Sequence, residues 1–238
     1  MANYNAHTYF GMRVLEKLPP DLKNLCAGDL PVFRMGLYGP DPLILSFRTK
    51  KTSDRLHKFW RAETLPELKK AICAGDQTMR SFAAGYMLHQ MLDDVVHPRI
   101  YSWMEDGSSH FRLEMALDKL ILQERQYIPP RLVTDGKWRT AQAAATIIQP
   151  VSENQYLSGL WRMAMLVNHF CLRGEGVPAK VREWERFQAL QLRDQLEAGV
   201  SSAVRELSDI LSYVTSPGKE FRFKDERRPQ LIVGRAHA

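Results

Sequence analysis

Cysteine is scarce in this chain. Only Cys26, Cys73 and Cys171 occur in 238 residues, with no C-x-x-C pair. That excludes a disulfide framework and suits a reducing, cytoplasmic compartment. Long apolar runs are also missing. None approaches the roughly 20 residues needed to cross a bilayer. The opening "MANYNAHTYFGMRVLEKLPP" has no basic start followed by an apolar stretch, so it does not read as a secretory leader. Charge of one sign is not concentrated either. The formal net charge of +6 is modest and diffuse. It favours anionic partners, phosphate-bearing ones included. No long basic run interleaved with aromatics is present to argue for nucleic acid. The one Gly/Pro-rich turn, "GLYGPDP", lacks the Lys and Ser/Thr that follow in a nucleotide-binding P-loop. Alternating strand patterns are weak throughout, and no internal repeat is evident.

What remains is helical periodicity. With 45% hydrophobic and 25% charged residues the composition is that of a globular chain, large enough for one sizeable domain or two small ones. After His7, Phe10, Val14, Leu15 and Leu18 recur at helical spacing until "LPPD". Residues 30–56 read as irregular, with a Gly/Pro turn cluster and the polar "RTKKTSDR". A helix is expected to resume near Leu56, with His57 at its start. Another should begin at Pro66, and a third should be capped by Asp76 and run to about residue 96. After "EDGSSH" a helix is expected to about residue 126, then a break at "YIPPRLVTDGK". Helices near 138–148, 152–173, 178–197 and 199–214 follow. The fold class is all-α. A helical core is expected over 1–128, with a helical extension over 129–238 packed on it and an exposed tail from about 216.

Five of the seven histidines precede residue 111: His7, His57, His89, His97 and His110. Singly, each reads as readily as a hydrogen-bonded core or helix-end histidine as a ligand. Asp41 in "GPDP" reads equally as a turn aspartate. Spacing separates the readings in one place, "HQMLDDVVHP". At about 100° per residue, positions four apart lie about 40° apart around a helix. His89, Asp93 and His97 therefore form one narrow stripe, and His110 and Glu114 repeat the interval on the next helix. Imidazole nitrogens and carboxylate oxygens one turn apart can grip one zinc ion. A buried carboxylate without a partner or a metal is costly. Asp94 points well away from the stripe and reads as a supporting or solvated group. Phe33, Leu37, Tyr38 and Phe59 read as core or as the lining of an apolar substrate pocket. Cys73 and Cys171 read as small buried residues, and His169 as structural.

The order His7, "GPDP", His57, "GYMLHQMLDDVVHPRIY" and "SSHFRLEMALDKLIL" resembles the zinc-dependent phospholipase C family, and within it cytoplasmic bacterial members. The resemblance covers roughly residues 1 to 125, and H-x3-D-x3-HP followed by H-x3-E is its central signature. It implies an all-helical fold with up to three zinc ions in a cleft, a design shared with P1-type nucleases. Carried over, Asp41, His57, His89 and Asp93 would hold one ion, and His97, His110 and Glu114 a second. His7 would hold a third, bridged through Asp93. Asp41 would also be a candidate general base. The implied reaction is hydrolysis of a phosphate ester, with a nuclease-like or nucleotide phosphatase activity, or a non-catalytic metal-stabilised interaction protein, as alternatives. The substrate would be a phosphate ester, lipid-like or not. Three departures stand out. Secreted members complete the third site with a processed N-terminal tryptophan, where this chain has "MANYNAH". They space the second aspartate and third histidine two residues further apart. Their choline pocket uses aromatics where this chain has Pro42 and Asp54, so a phosphatidylcholine head group is not implied.

Overall fold

The computed structural model describes residues 4–45, 49–104, 107–124, 137–148 and 183–215. They are helical, with no strand among them: α1 Tyr4–Lys17, α2 Pro20–Ala27, α3 Leu30–Gly36, α4 Lys50–Lys58, α5 Leu65–Ala74, α6 Gln77–Trp103, α7 Gly107–Glu124, α8 Lys137–Ile147 and α9 Glu183–Thr215. A 3-10 turn at Asp41–Leu45 precedes α4, and a π-helical turn at Trp60–Thr64 joins α4 to α5.

The long α6 is the axis. Asp76 caps it, its Oδ1 accepting the Met79 amide at 2.8 Å. Residues 81 to 93 are buried without interruption, because neighbours surround that segment on every side. α3, α5, α2, α8, α1 and α9 all pack on it. The tightest crossing is with α3. A Cβ on Gly36 would stand 2.3 Å from the Phe82 carbonyl oxygen, and one on Gly85 2.1 Å from that of Phe33. Only two glycines allow the backbones so close, and this crossing sets the loop after α3 directly over the middle of α6.

Three expectations need correction. The stretch 30–56 is more ordered than its Gly and Pro content implied. It contains α3, which starts with Pro31 in its first turn, and α4, which places His57 in its last turn rather than at a helix start. α6 does not stop near residue 96 but runs through Pro98 to Trp103. The proline removes one intrahelical donor. The last turns hold through buried Ile100, an Arg99 guanidinium over the Trp103 ring at 4.9 Å, and an Arg99 bond to Gln191 at 3.2 Å. Finally, 183–215 is one helix, not two. Gly199 is no break: a Cβ there would meet Val95 at 3.0 Å, so the glycine lets α9 approach α6. The helix expected at 152–173, the tail beyond 216, His169 and Cys171 lie outside the described residues.

α9 presents Leu192, Leu196, Val200, Ala203, Leu207 and Leu211 inward at helical spacing. It closes over α1, α6 and α7. Polar ties fix its register: Tyr9 donates to Glu197 at 2.6 Å, Arg61 to Glu206 at 3.1 Å, and Arg112 pairs with Glu185 at 3.1 Å.

Candidate metal centre

The residues singled out in the sequence converge at one place. The α6 stripe supplies His89, Asp93 and His97. α1 delivers His7, the 3-10 turn Asp41, the end of α4 His57, and α7 both His110 and Glu114. The local chain explains how the turn arrives there. Gly39 has φ +51° and lets the backbone double back through bonds from its amide to Gly36 O at 2.8 Å and from the Asp41 amide to Tyr38 O at 3.2 Å. Ser53 of α4 then donates to the Pro40 carbonyl at 3.1 Å, tying His57's helix to Asp41's turn.

Three sets of ligand-type atoms result, each with all members within 4.8 Å of one another: His7, Asp41 and His89; His57, His89 and Asp93; His97, His110 and Glu114. Asp93 stands at the centre. Its Oδ1 is 3.4 Å from His7 Nε2 and 3.5 Å from His97 Nε2, and its Oδ2 is 3.2 Å from His89 Nε2 and 3.5 Å from His57 Nε2. Asp41 Oδ1 is 3.2 Å from His57 Nε2. Glu114 Oε1 is 2.9 Å from His110 Nε2 and 3.3 Å from His97 Nε2. His7 falls with Asp41 and His89 as well as beside Asp93, so its set is wider than the bridging carboxylate alone.

The donor chemistry fits a cation. His89 Nδ1 lies 3.0 Å from the Leu37 carbonyl, and His57 Nδ1 2.9 Å from the Ser53 carbonyl. A carbonyl only accepts, so each Nδ1 carries the hydrogen. In the neutral rings both Nε2 atoms are then bare lone pairs, facing each other at 3.4 Å. Asp93 Oδ2, between them, is buried and has no hydrogen-bond partner among the described residues. Lone pairs so arranged repel unless a proton or a metal ion sits among them.

Without a metal ion, the same place draws protons instead. Burial would raise the Asp93 carboxyl, but His97, His89 and His7 override it and hold it well below the usual range. Burial would lower His97, but Asp93 and Glu114 hold it up at about 9. Glu114 would rise on burial and is instead held at about 2 by His110 and His97. His57 is raised, burial being outweighed by Asp41 and Asp93. His7 goes the other way, to about 3, through burial and the neighbouring His89. A neutral His7 ring stacks on His89 with centroids 3.9 Å apart.

The sequence pattern that defines the family described as zinc dependent phospholipase C matches residues 6–158. The chain belongs to that family. Comparison with curated proteins and with solved structures finds no match. Family and donor sets together support a metal-dependent hydrolase that binds zinc. No described helix is long and apolar enough to cross a membrane.

Around this centre the other expectations sort cleanly. Asp94 is a supporting group: it accepts from Trp60 Nε1 at 3.1 Å and from Arg61 at 3.0 Å, pinning the π-helical turn to α6. Phe33, Leu37 and Tyr38 are core, whereas Phe59 is exposed. Cys73 is half-buried rather than buried. Sequence reasoning missed two neighbours. Tyr101, one turn beyond His97, lies 5.4 Å from the His97 ring and 5.5 Å from that of His110, and is exposed at the rim. Asp118, one turn beyond Glu114, is buried beneath it. Both continue an i+4 stripe, which was the available signal.

Proposed function

We propose that the chain hydrolyses phosphate esters with two or three divalent ions, zinc first among them. Asp41, His57, His89 and Asp93 would hold one ion, His97, His110 and Glu114 another, and His7 with Asp41 and His89 a third position. The observation that carries this reading is the convergence of His57 and His89 Nε2, each ring held by a backbone carbonyl at Nδ1, on a buried Asp93 Oδ2 that has no hydrogen-bond partner among the described residues. Exposure favours an enzyme over a closed structural site. His89 and Asp93 form a buried floor, while the side chains of Asp41, His57, His97 and His110 keep 17 to 22% of their surface open to solvent. Open coordination on one side is what a catalytic centre requires.

Bound zinc supplies Lewis acidity toward phosphoryl oxygens and acidifies water toward a pKa of about 7. The chain's own groups do the rest. Asp41, at the open edge, accepts the proton of the attacking water. His57 stands 3.2 Å from that carboxylate and is itself fixed by the Ser53 carbonyl. The Leu37 carbonyl holds His89 so that its Nε2 stays turned to the centre. At the positions of the family's choline-contacting aromatics, Pro42 is buried and Asp54 exposed, so an aromatic cage for a quaternary ammonium is not built there. A phosphate ester other than phosphatidylcholine, lipid-like or not, is the expected substrate.

The test is elemental analysis of protein purified without chelator and reloaded with zinc, alongside a screen of phosphate mono- and diesters. At least two ions per chain and zinc-dependent turnover are expected. Trace metal after reloading, or full metal with no turnover on any ester, refutes the reading.

A further inference from the structure

His7 differs from its neighbours His89 and His57 in one respect. His89 and His57 are each oriented by a hydrogen bond from the far ring nitrogen to a backbone carbonyl. Such a bond ordinarily aims an imidazole at a metal. The corresponding atom of His7, Nδ1, is buried and has no hydrogen-bond partner among the described residues. Stacking on His89 fixes the plane of the ring, but not its advance toward Asp93. Something else must set where His7 stands, and the remaining lever is the backbone just before it.

That backbone is held by Asp118. This side chain is buried and comes from α7, on the same stripe as His110 and Glu114. Its Oδ1 accepts the Ala6 amide at 2.9 Å, and its Oδ2 accepts the Asn5 amide at 3.2 Å and Asn5 Nδ2 at 3.1 Å. Both amides belong to the first turn of α1, where N–H groups have no partner within the helix and the helix end is electropositive. A carboxylate there satisfies two otherwise unmet buried donors. It also joins α1 to the helix that carries two other ligand residues. Burial pushes the Asp118 carboxyl up, to about 7, against the pull of these donors.

We propose that Asp118 is the positioning residue for His7: by clamping the Asn5 and Ala6 amides from α7 it sets the first turn of α1, and so places His7 Nε2 beside Asp93 and within the set formed with Asp41 and His89. The proposal rests on the metal-binding reading above. It predicts that Asp118 governs metal capacity, not only stability. Tyr9 provides the control, because it also anchors α1, through Glu197 of α9, from the side of the helix turned away from His7.

Zinc capacity and affinity are measured by equilibrium dialysis with elemental analysis on wild type, His7→Ala, Asp118→Asn, Tyr9→Phe and the His7→Ala/Asp118→Asn double variant. Helical content and melting temperature are recorded on each sample. Asparagine keeps one acceptor but turns an NH2 toward the Asn5 donors, a milder change than alanine that keeps the fold testable. We expect Asp118→Asn to lose one zinc equivalent, or to weaken the last one tenfold or more, as His7→Ala does. The double variant should lose no more than either single one. Tyr9→Phe should melt lower with full capacity. If Asp118→Asn melts lower but binds zinc like wild type, Asp118 is merely structural and the proposal fails. If the double variant loses two equivalents, the two residues act independently and it fails again. A wild type that binds no zinc removes the functional reading itself, and this proposal with it.

Discussion

A Cβ placed on Gly39 would lie 2.2 Å from Cδ2 of His89. The turn that delivers Asp41 therefore rests directly on the face of a central imidazole, with no room for even a methyl group. The same glycine holds φ +51°, where other residues are strained. Gly39→Ala should cost more than about 2 kcal/mol from backbone and clash together. It should also disturb His89. Thermal melts and zinc titration of the variant measure both, and a variant with wild-type melting and zinc affinity would show that the turn can shift away freely.

Adjacent aspartates should behave differently. Asp93 meets four histidines, whereas Asp94 holds Trp60 and Arg61. Asp93→Ala should abolish most metal binding. Asp94→Ala should leave metal largely in place and lower the melting temperature, because the buried Trp60 loses its acceptor. Metal content and melting temperature on the same preparations decide it. Greater metal loss in Asp94→Ala would reverse the assignment.

Asp41→Asn separates ligand from base. The change nearly preserves shape, and His57, His89 and Asp93 remain. If Asp41 takes the proton of the attacking water, turnover should fall on the order of 10²–10⁴-fold with most metal retained. Steady-state hydrolysis of an ester found in the screen, with metal measured alongside, is the check. Normal turnover with full metal would remove Asp41 from the reaction.

Without metal, the centre should be sensitive to alkali. His97 titrates at about 9 in the folded chain, against the ordinary histidine value of 6.5 once the chain unfolds. A raised folded pKa means stability fully present below 6.5 and lost as pH climbs through 9. The raised His57 acts in the same direction. From His97 alone the loss is of order 3 kcal/mol, since each tenfold change in proton affinity is worth about 1.4 kcal/mol. Metal takes the proton's place, so the zinc-loaded protein should not show this loss. Chemical denaturation at about pH 6.5 and about pH 9, the two ends of that window, with and without zinc, tests the difference. Equal stability of the metal-free chain at both values would contradict it.

Much of this centre was legible in the sequence because helical period turns spacing into direction. His89, Asp93 and His97 needed only an interval of four to share a face, and His110 with Glu114 likewise. The ends of α6 and the unity of α9 were not legible. Pro98 and Gly199 are local helix breakers, and what overrides them is tertiary: buried Ile100 in one case, contact with Val95 in the other. The irregular reading of 30–56 failed for a similar reason, since α3 is secured by the Gly36–Gly85 crossing, between residues far apart in the chain. His57 and His7 carried no periodic partner, so their place beside Asp93 rested on family likeness until the fold brought them there. The carbonyls of Leu37 and Ser53, which aim two imidazoles, have no side-chain signature at all.

The family pattern ends at residue 158, yet α9, which begins at Glu183, covers three of the helices that bear the ligand-type residues. None of the eight residues assigned to the centre lies on α9, and α9 touches their helices through an apolar stripe and a few surface ties. Natural variation should therefore be governed differently in the two parts. In the core, residue identity is under constraint, because ligand atoms and close-packed glycines admit no substitutes. In α9 the constraint is mostly on rhythm: a sequence that repeats its apolar face, keeps the small residue opposite Val95 and keeps the carboxylates at 185, 197 and 206 can serve, leaving the rest of the outer face free to diverge.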